Sequence, residues 1–355
     1  MASLPRSSPG RLRLVLMFAF TLSLLLGAAL IASGSFSTNS VSGSGSTHPL
    51  RGRGVYVPPP ADPNMIPQHL TFLGESHRTS SPVTVLVLSF YSDLAARQTI
   101  RETWASGHDN VYFVVGVPCL IPTGQRDDYF CVLADEAVRP TPEEQADYDA
   151  DCAVNSLLVD EEQRVHHDLI RISDVTEAYR HLPHKLKAAY QWGILNTQSK
   201  FFVKADDDSF VRVAALSEYL VSTYQADTPM LIGAIKPHAI VDHTGARTFG
   251  RNKELPEYKP DVYPPWAVGS AGHAVSRPIA QYVSDNRYDL FEYQGEDTSL
   301  GIWLDESPLK GKVKFVNSNR FGSEVQGYPQ CQDPEFFSIG HNISPEKMSK
   351  CFGAW

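Results

Sequence analysis

The stretch Lys200–Val213, KFFVKADDDSFVRV, holds the densest chemistry in the chain. An apolar run leads straight into Asp206-Asp207-Asp208, and the apolar pair Phe210-Val211 comes after it. Three carboxylates in so apolar a setting cannot all stay ionised without a cation. Extended-chain alternation sends Asp206 and Asp208 to one side and Asp207 to the other. Two oxygen ligands on one side of a turn suit a hard divalent ion, Mn²⁺ or Mg²⁺. An acidic triplet is often only a solvated turn, but the apolar flanks hold this one close to the core.

Other residues have suitable types and spacing. Arg97 and Arg101 lie one helical turn apart, and guanidinium reads phosphate and carboxylate by paired hydrogen bonds. The alternative is that they pair with neighbouring acids such as Asp93. Glu296-Asp297 precedes a helix-like run, where carboxylates also serve as caps.

Alternating strand-like and helix-like stretches must position these groups. Val83–Phe90, Val111–Val117, Phe201–Val203, Met230–Ile235 and Val313–Val316 read as strands. Asp93–Trp104 and His184–Asn196 read as helices, with Trp104 in the core. The alternation predicts an α/β sandwich with a mostly parallel sheet, whose ligands gather beyond the C-terminal strand ends. Residues 134–162 carry ten acids against one base, Arg139, and read as a solvated surface insertion. There is no GxGxxG after the first strand and no GxxxxGK[ST].

Composition narrows the function classes. The chain has 355 residues, 42% of them hydrophobic, and a formal net charge of −9. That acidity excludes the basic footprint of a nucleic-acid binder. Leu14–Ala32 carries no charge and is preceded by Arg6, Arg11 and Arg13. As a helix it would span about 28 Å, close to the ~30 Å hydrocarbon core. The reading is a cytosolic tail (1–13), a transmembrane signal anchor (14–32), a Ser/Gly/Pro-rich stem (33–81) and a folded domain (82–355) across the membrane. A cleaved signal peptide is the alternative. All five cysteines lie after the span, on its oxidising side. The number is odd, and Cys331 with Cys351 is a plausible local pair.

VKADDDSFV resembles the metal-binding DxD segment of the β-1,3-glycosyltransferases, the inverting galactosyltransferase-like family. Arg97–Trp104 (RQTIRETW) is similar to its R-x-x-I-R-x-T-W segment, Tyr263–Gly272 to its acceptor-side segment, and Glu296–Gly301 to its E-D-V-x-x-G segment. The resemblance runs over about residues 83–350. Ala271 and His273 depart from the family's glycine and tyrosine, and the acidic insertion is longer than expected.

The resemblance implies a Rossmann-like nucleotide-sugar fold of GT-A type, in a single lumenal domain. It implies a UDP-sugar donor, either galactose or N-acetylglucosamine, and a glycan, glycoprotein or glycolipid acceptor. Mn²⁺ would be held by Asp206, Asp208 and His341, the last lying in a segment similar to the family's H-x-x-S-P-E-x-M. Asp207 would cap the turn or reach the ribose, Arg97 and Arg101 would face the donor, and Asp297 would be the general base with Glu296 beside it. The setting would be the Golgi membrane, type II. His166, His167 and His273 are left as structural or surface residues. A glycoside hydrolase using Asp208 and Asp297, or a lectin-like scaffold, would be the competing functions.

Overall fold

The computed structural model describes residues 79–127, 129–243, 258–323, 331 and 333–353. The expected anchor at 14–32 and nearly all of the stem lie outside the described residues. Among those described, no helix is long and apolar enough to cross a membrane.

Seven strands form the central sheet: β1 (Val83–Leu88), β2 (Val111–Val117), β3 (Leu169–Thr176), β4 (Phe201–Asp206), β5 (Met230–Gly233), β6 (His273–Ser276) and β7 (Lys314–Asn317). Their order is β7-β5-β6-β4-β1-β2-β3. Parallel pairs join β1 to β2, β1 to β4, β2 to β3 and β5 to β7, and β6 alone runs against its neighbours. The helices are α1 (Leu94–Glu102), α2 (Pro142–His166), α3 (Leu182–Asn196), α4 (Val213–Thr223), α5 (Arg277–Asp285), α6 (Glu296–Asp305) and α7 (Pro345–Phe352).

Helices cover both faces of the sheet, which is why β1 is buried along its whole length and reads as an unbroken apolar run. Its side chains alternate between two cores. Val83, Val85 and Val87 join Phe201, Val203 and Leu216 on one face. Leu86 and Leu88 join Phe202, Trp192 and Ile302 on the other. Trp104 is in the first core, as expected.

The α/β expectation stands, with shifted boundaries. β4 runs to Asp206, three residues beyond the expected end, because its backbone stays paired with β1 up to Leu88. β3 and β6 were not expected. β3 has only partial apolar character, and the polar His273 and Ser276 bound β6 yet are fully buried. The acidic insertion is corrected more substantially, because most of it is helix α2. Thr141 and Glu144 cap each other's backbone N–H and Pro142 opens the first turn, which fixes its start despite the charge. Most of α2 is solvated, but Val159, Glu162 and Gln163 are buried.

Disulfides join Cys119 to Cys131 and Cys331 to Cys351, and Cys152 is free. The second bridge closes a separation of 20 residues and ties α7 to the segment after β7. Replacing both of its cysteines by serine should lower stability by about 3 kcal/mol, the usual contribution for a loop of that size. Urea unfolding checks this, and a loss below about 1 kcal/mol would show that the C-terminal segment is held by packing alone.

Candidate functional site

β1, β2, β3 and β4 end on one edge of the sheet, and the acids cluster there. Asp206 is the last residue of β4, with Asp207 and Asp208 in the turn directly after it. A short strand, Phe210–Val211, then pairs with Ser338–Gly340 and carries the C-terminal segment across the turn. Asn342 donates its backbone N–H to Asp208 Oδ2 at 2.9 Å, and Ile343 N–H donates to the Asp208 carbonyl at 3.0 Å. His341 Nδ1 lies 3.1 Å from Asp208 Oδ2. Burial opposes ionisation of Asp208, but His341 and the Asn342 amide outweigh it and hold the carboxyl below its ordinary range. Hydrogen bonding to Asp208 in turn raises the pKa of His341.

Asp206 faces inward. Its two oxygens lie 2.8 and 3.0 Å from Lys204 Nζ. Lys204 sits on β4 and is 1% exposed. It also donates to Glu296 Oε1 at 2.7 Å and to the Gly269 carbonyl at 3.1 Å. Burial disfavours its charge, yet the two carboxylates hold its pKa above the usual lysine value. One ammonium therefore joins the acidic turn to the Glu296-Asp297 pair on α6.

Asp297 stands in the first turn of α6. Gly269 N–H donates to its Oδ2 at 2.8 Å and Thr298 N–H to its Oδ1 at 2.7 Å. Burial, and after it the Glu296 charge, pushes its pKa up to about 7 against these donors and Lys204. The backbone reaches it only because residue 269 is glycine: a Cβ there would stand 2.5 Å from Glu296 Oε1 and 3.0 Å from Asp297 Oδ2. Gly272, with φ +71°, allows the next approach, since a Cβ would lie 2.8 Å from the Lys204 carbonyl.

Of the residues expected to hold a metal, the structure brings Asp208 and His341 into contact and turns Asp206 toward Lys204. Among the described residues no group of three or more His, Cys, Asp or Glu is arranged to hold an ion. The donor chemistry nonetheless fits one. Asp208 Oδ1 and Asp207 Oδ2 are buried without any hydrogen-bond partner. Anionic oxygens in that state, beside an imidazole, are what a Mn²⁺-like cation satisfies. Asp207 is directed instead toward Ser89, beyond the end of β1, and burial raises its pKa to about 6. Burial likewise pushes Asp206 up to about 6 despite Lys204.

The expectation for Arg97 and Arg101 is corrected. Arg97 is fully buried, with Nε and Nη2 on Glu162 at 2.9 and 2.7 Å and Nη1 on Ser89 Oγ and the Phe90 carbonyl. Arg101 is paired with Glu162 and Asp168, each at 2.7 Å. Their donors are engaged by acids of α2 and the loop after it, so Arg97 braces the turn after β1 from behind. The pairing alternative was sound in kind, but the partner is Glu162, from the insertion read as solvent-exposed, and not Asp93. His273 is fully buried, hydrogen-bonds with Tyr190 Oη at 3.0 Å and has its pKa lowered to about 3 by burial, a structural role.

Sequence reasoning missed Lys204 and Gly269. The signal for Lys204 was a single cation inside the apolar run FFVKA, which only a buried counter-charge could support.

Acids gathered beyond the C-terminal ends of parallel strands, joined through Lys204 to a helix-borne carboxylate, mark the ligand-binding edge of an α/β fold. A family model described as galactosyltransferase matches residues 146–313, which contain Asp206–Asp208 and Asp297. The mouse UDP-GalNAc:beta-1,3-N-acetylgalactosaminyltransferase 2 is 33% identical over 163 residues, covering 46% of this chain and 31% of that protein. Beta-1,3-galactosyltransferase 6 of mouse is 30% identical over 194 residues, covering 53% and 54%. The probable beta-1,3-galactosyltransferase 3 of Arabidopsis thaliana is 30% identical over 157 residues, covering 41% and 35%. The chain is thus similar, over residues 146–313, to the galactosyltransferase family and to β-1,3-glycosyltransferases. It spans about a third of the length of the mouse N-acetylgalactosaminyltransferase and about half that of the mouse galactosyltransferase.

The Asp297 carboxyl should titrate near pH 7 in a carbon-13 NMR titration of the folded protein. A midpoint close to 4, the ordinary aspartate range, would show that the two amide donors outweigh burial.

Proposed function

We propose that this chain is an inverting, Mn²⁺-dependent glycosyltransferase that moves a hexose from a UDP-sugar to a glycan hydroxyl in β-1,3 linkage. The relatives' names favour galactose or N-acetylgalactosamine as the sugar, and N-acetylglucosamine stays within the sequence expectation. The observation that carries the reading is Asp297: a helix-borne carboxylate with a pKa near 7, joined through Glu296 and Lys204 to the acidic turn.

Asp208 and His341 are the residues that would hold the cation, while Lys204 engages both oxygens of Asp206. When bound, it would offset charge on a leaving diphosphate. The chain's own residues account for the proton. Each Asp297 oxygen is oriented by a backbone amide and keeps a lone pair for an acceptor hydroxyl. A base of this pKa is half-ionised near neutrality and still strong enough to accept the hydroxyl proton as the bond forms. Lys204 offsets the Glu296 charge, so Asp297 can ionise beside it. Inversion needs one such base on the face opposite the leaving group.

We place the protein in the Golgi membrane as a type II chain with the enzyme domain (82–355) in the lumen and a GT-A-type fold. The charge-free segment Leu14–Ala32 behind three arginines supports the anchor.

Asp297→Asn should lower transfer by about 10²–10⁴-fold, the contribution of a positioned base, with Mn²⁺-dependent UDP affinity unchanged. Asp208→Ala should abolish that affinity. Calorimetry with UDP and Mn²⁺, alongside transfer assays with a panel of UDP-sugars, separates the two. Near-normal turnover of Asp297→Asn would reject the base. UDP affinity insensitive to EDTA would reject the metal. In the wild type, kcat/KM should rise with pH through about 7, since only the deprotonated carboxylate can accept the proton, and then level off.

A further inference from the structure

The ligand-binding edge carries one more distinctive feature. Tyr179 comes just after β3, whose last residue, Thr176, ends at the same edge as Asp206, and it is 40% exposed. A lone exposed tyrosine is ordinary. This one is held from several sides. Its ring stacks on Tyr129 with centroids 5.1 Å apart and planes 30° apart, and Phe130 meets Tyr129 edge-on at 4.7 Å. The Tyr129-Phe130 loop lies within the segment closed by the Cys119–Cys131 disulfide. Asp127 Oδ1 accepts the Tyr129 N–H at 2.8 Å. Arg180 N–H donates to the Tyr129 carbonyl at 2.9 Å, which ties this loop to the turn bearing Tyr179.

The same turn is tied to the base. Arg180 Nη2 donates to the Glu292 carbonyl at 3.0 Å, in the loop that leads into Asp297. Burial and then the Glu296 and Asp297 charges keep the Tyr179 phenol protonated. On the turn and the loop, Arg180 Nη1 and Gln294 Oε1 are buried with no hydrogen-bond partner. A half-exposed aromatic face backed by a second ring suits a ligand ring with an apolar C–H face. An anionic group such as a diphosphate is disfavoured on this face, because the nearby Glu296 and Asp297 carboxylates repel it.

We propose that Tyr179, backed by Tyr129, is the stacking platform for the pyranose ring of the acceptor sugar, holding its hydroxyl toward Asp297. This rests on the reading of Asp297 as the base. Rigid stacking fixes orientation at little entropic cost, which is how a positioning side chain raises the fraction of productive encounters.

The test is saturation-transfer NMR on the full chain with UDP and Mn²⁺ present. The probes are the methyl β-glycosides of galactose, N-acetylglucosamine, N-acetylgalactosamine and xylose. At least one should take saturation on its ring C–H protons in the wild type. Tyr179→Ala should weaken that binding about tenfold, the order expected for one aromatic contact, while Tyr179→Phe stays within about twofold. Tyr129→Ala, which removes the backing ring, should weaken it as well. UDP affinity should be the same in all variants and serves as the folding control. Unchanged glycoside binding in Tyr179→Ala, loss of UDP affinity instead, or no saturation with any probe would overturn the proposal. Glycoside binding that depends on Tyr179 in a wild type that transfers nothing would leave the platform standing and remove the base.

Discussion

The site depends on a single buried ammonium. Lys204 is almost wholly removed from water and meets Asp206 on its own strand and Glu296 on α6. Removing one partner from such a buried cluster typically costs about 3–5 kcal/mol, because the charges left behind are uncompensated. The cation therefore fixes two segments that lie far apart in sequence: the strand that presents the acidic turn and the helix that presents Asp297. Antiparallel pairing of β6 with β4 sets His273 against Lys204 and brings the glycine-rich approach of residues 269–272 into the same place. Reversing this one strand lets a loop backbone donate to Asp297.

Most of the scaffold could be read from the chain, because buried parallel strands announce themselves as apolar runs. Val111–Val117 is found with the expected limits, and β1 and α3 within two residues at either end. β3 was hidden because its outward residues, such as Ser173 and Asp174, break the apolar pattern. α2 was hidden because charge masks helical periodicity, and its buried residues lie near its C-terminal end. The capping signal Thr141-Pro142-Glu143-Glu144 was present and was outweighed by the acidity of the helix it opens.

The site was legible in its residues more than in its geometry. The acidic turn, Asp297 and His341 stand out by type and setting, and Asp208 does lie against His341. Alternation along the strand could not reveal that Asp206 turns to an internal lysine, because that choice is made by a helix far along the chain. Arg97 and Arg101 show the same limit. Two arginines one turn apart are equally suited to a phosphate or to Glu162, and only the packing of α2 decides. The arginines hold the turn after β1, whose Ser89 faces Asp207, so their contribution to the site is mechanical.

The strap formed by residues 338–343 has a thermodynamic consequence. Its amides and imidazole grip Asp208, and the Cys331–Cys351 bridge anchors the segment on either side of that grip. Any ligand that prefers the gripped arrangement of Asp208 must stabilise the docked strap by the same free energy, since the two equilibria share one carboxylate. Residues 341–343 and the acidic turn, far apart in sequence, thus share one carboxylate, and the free energy of binding at Asp208 is linked to the docking of that segment.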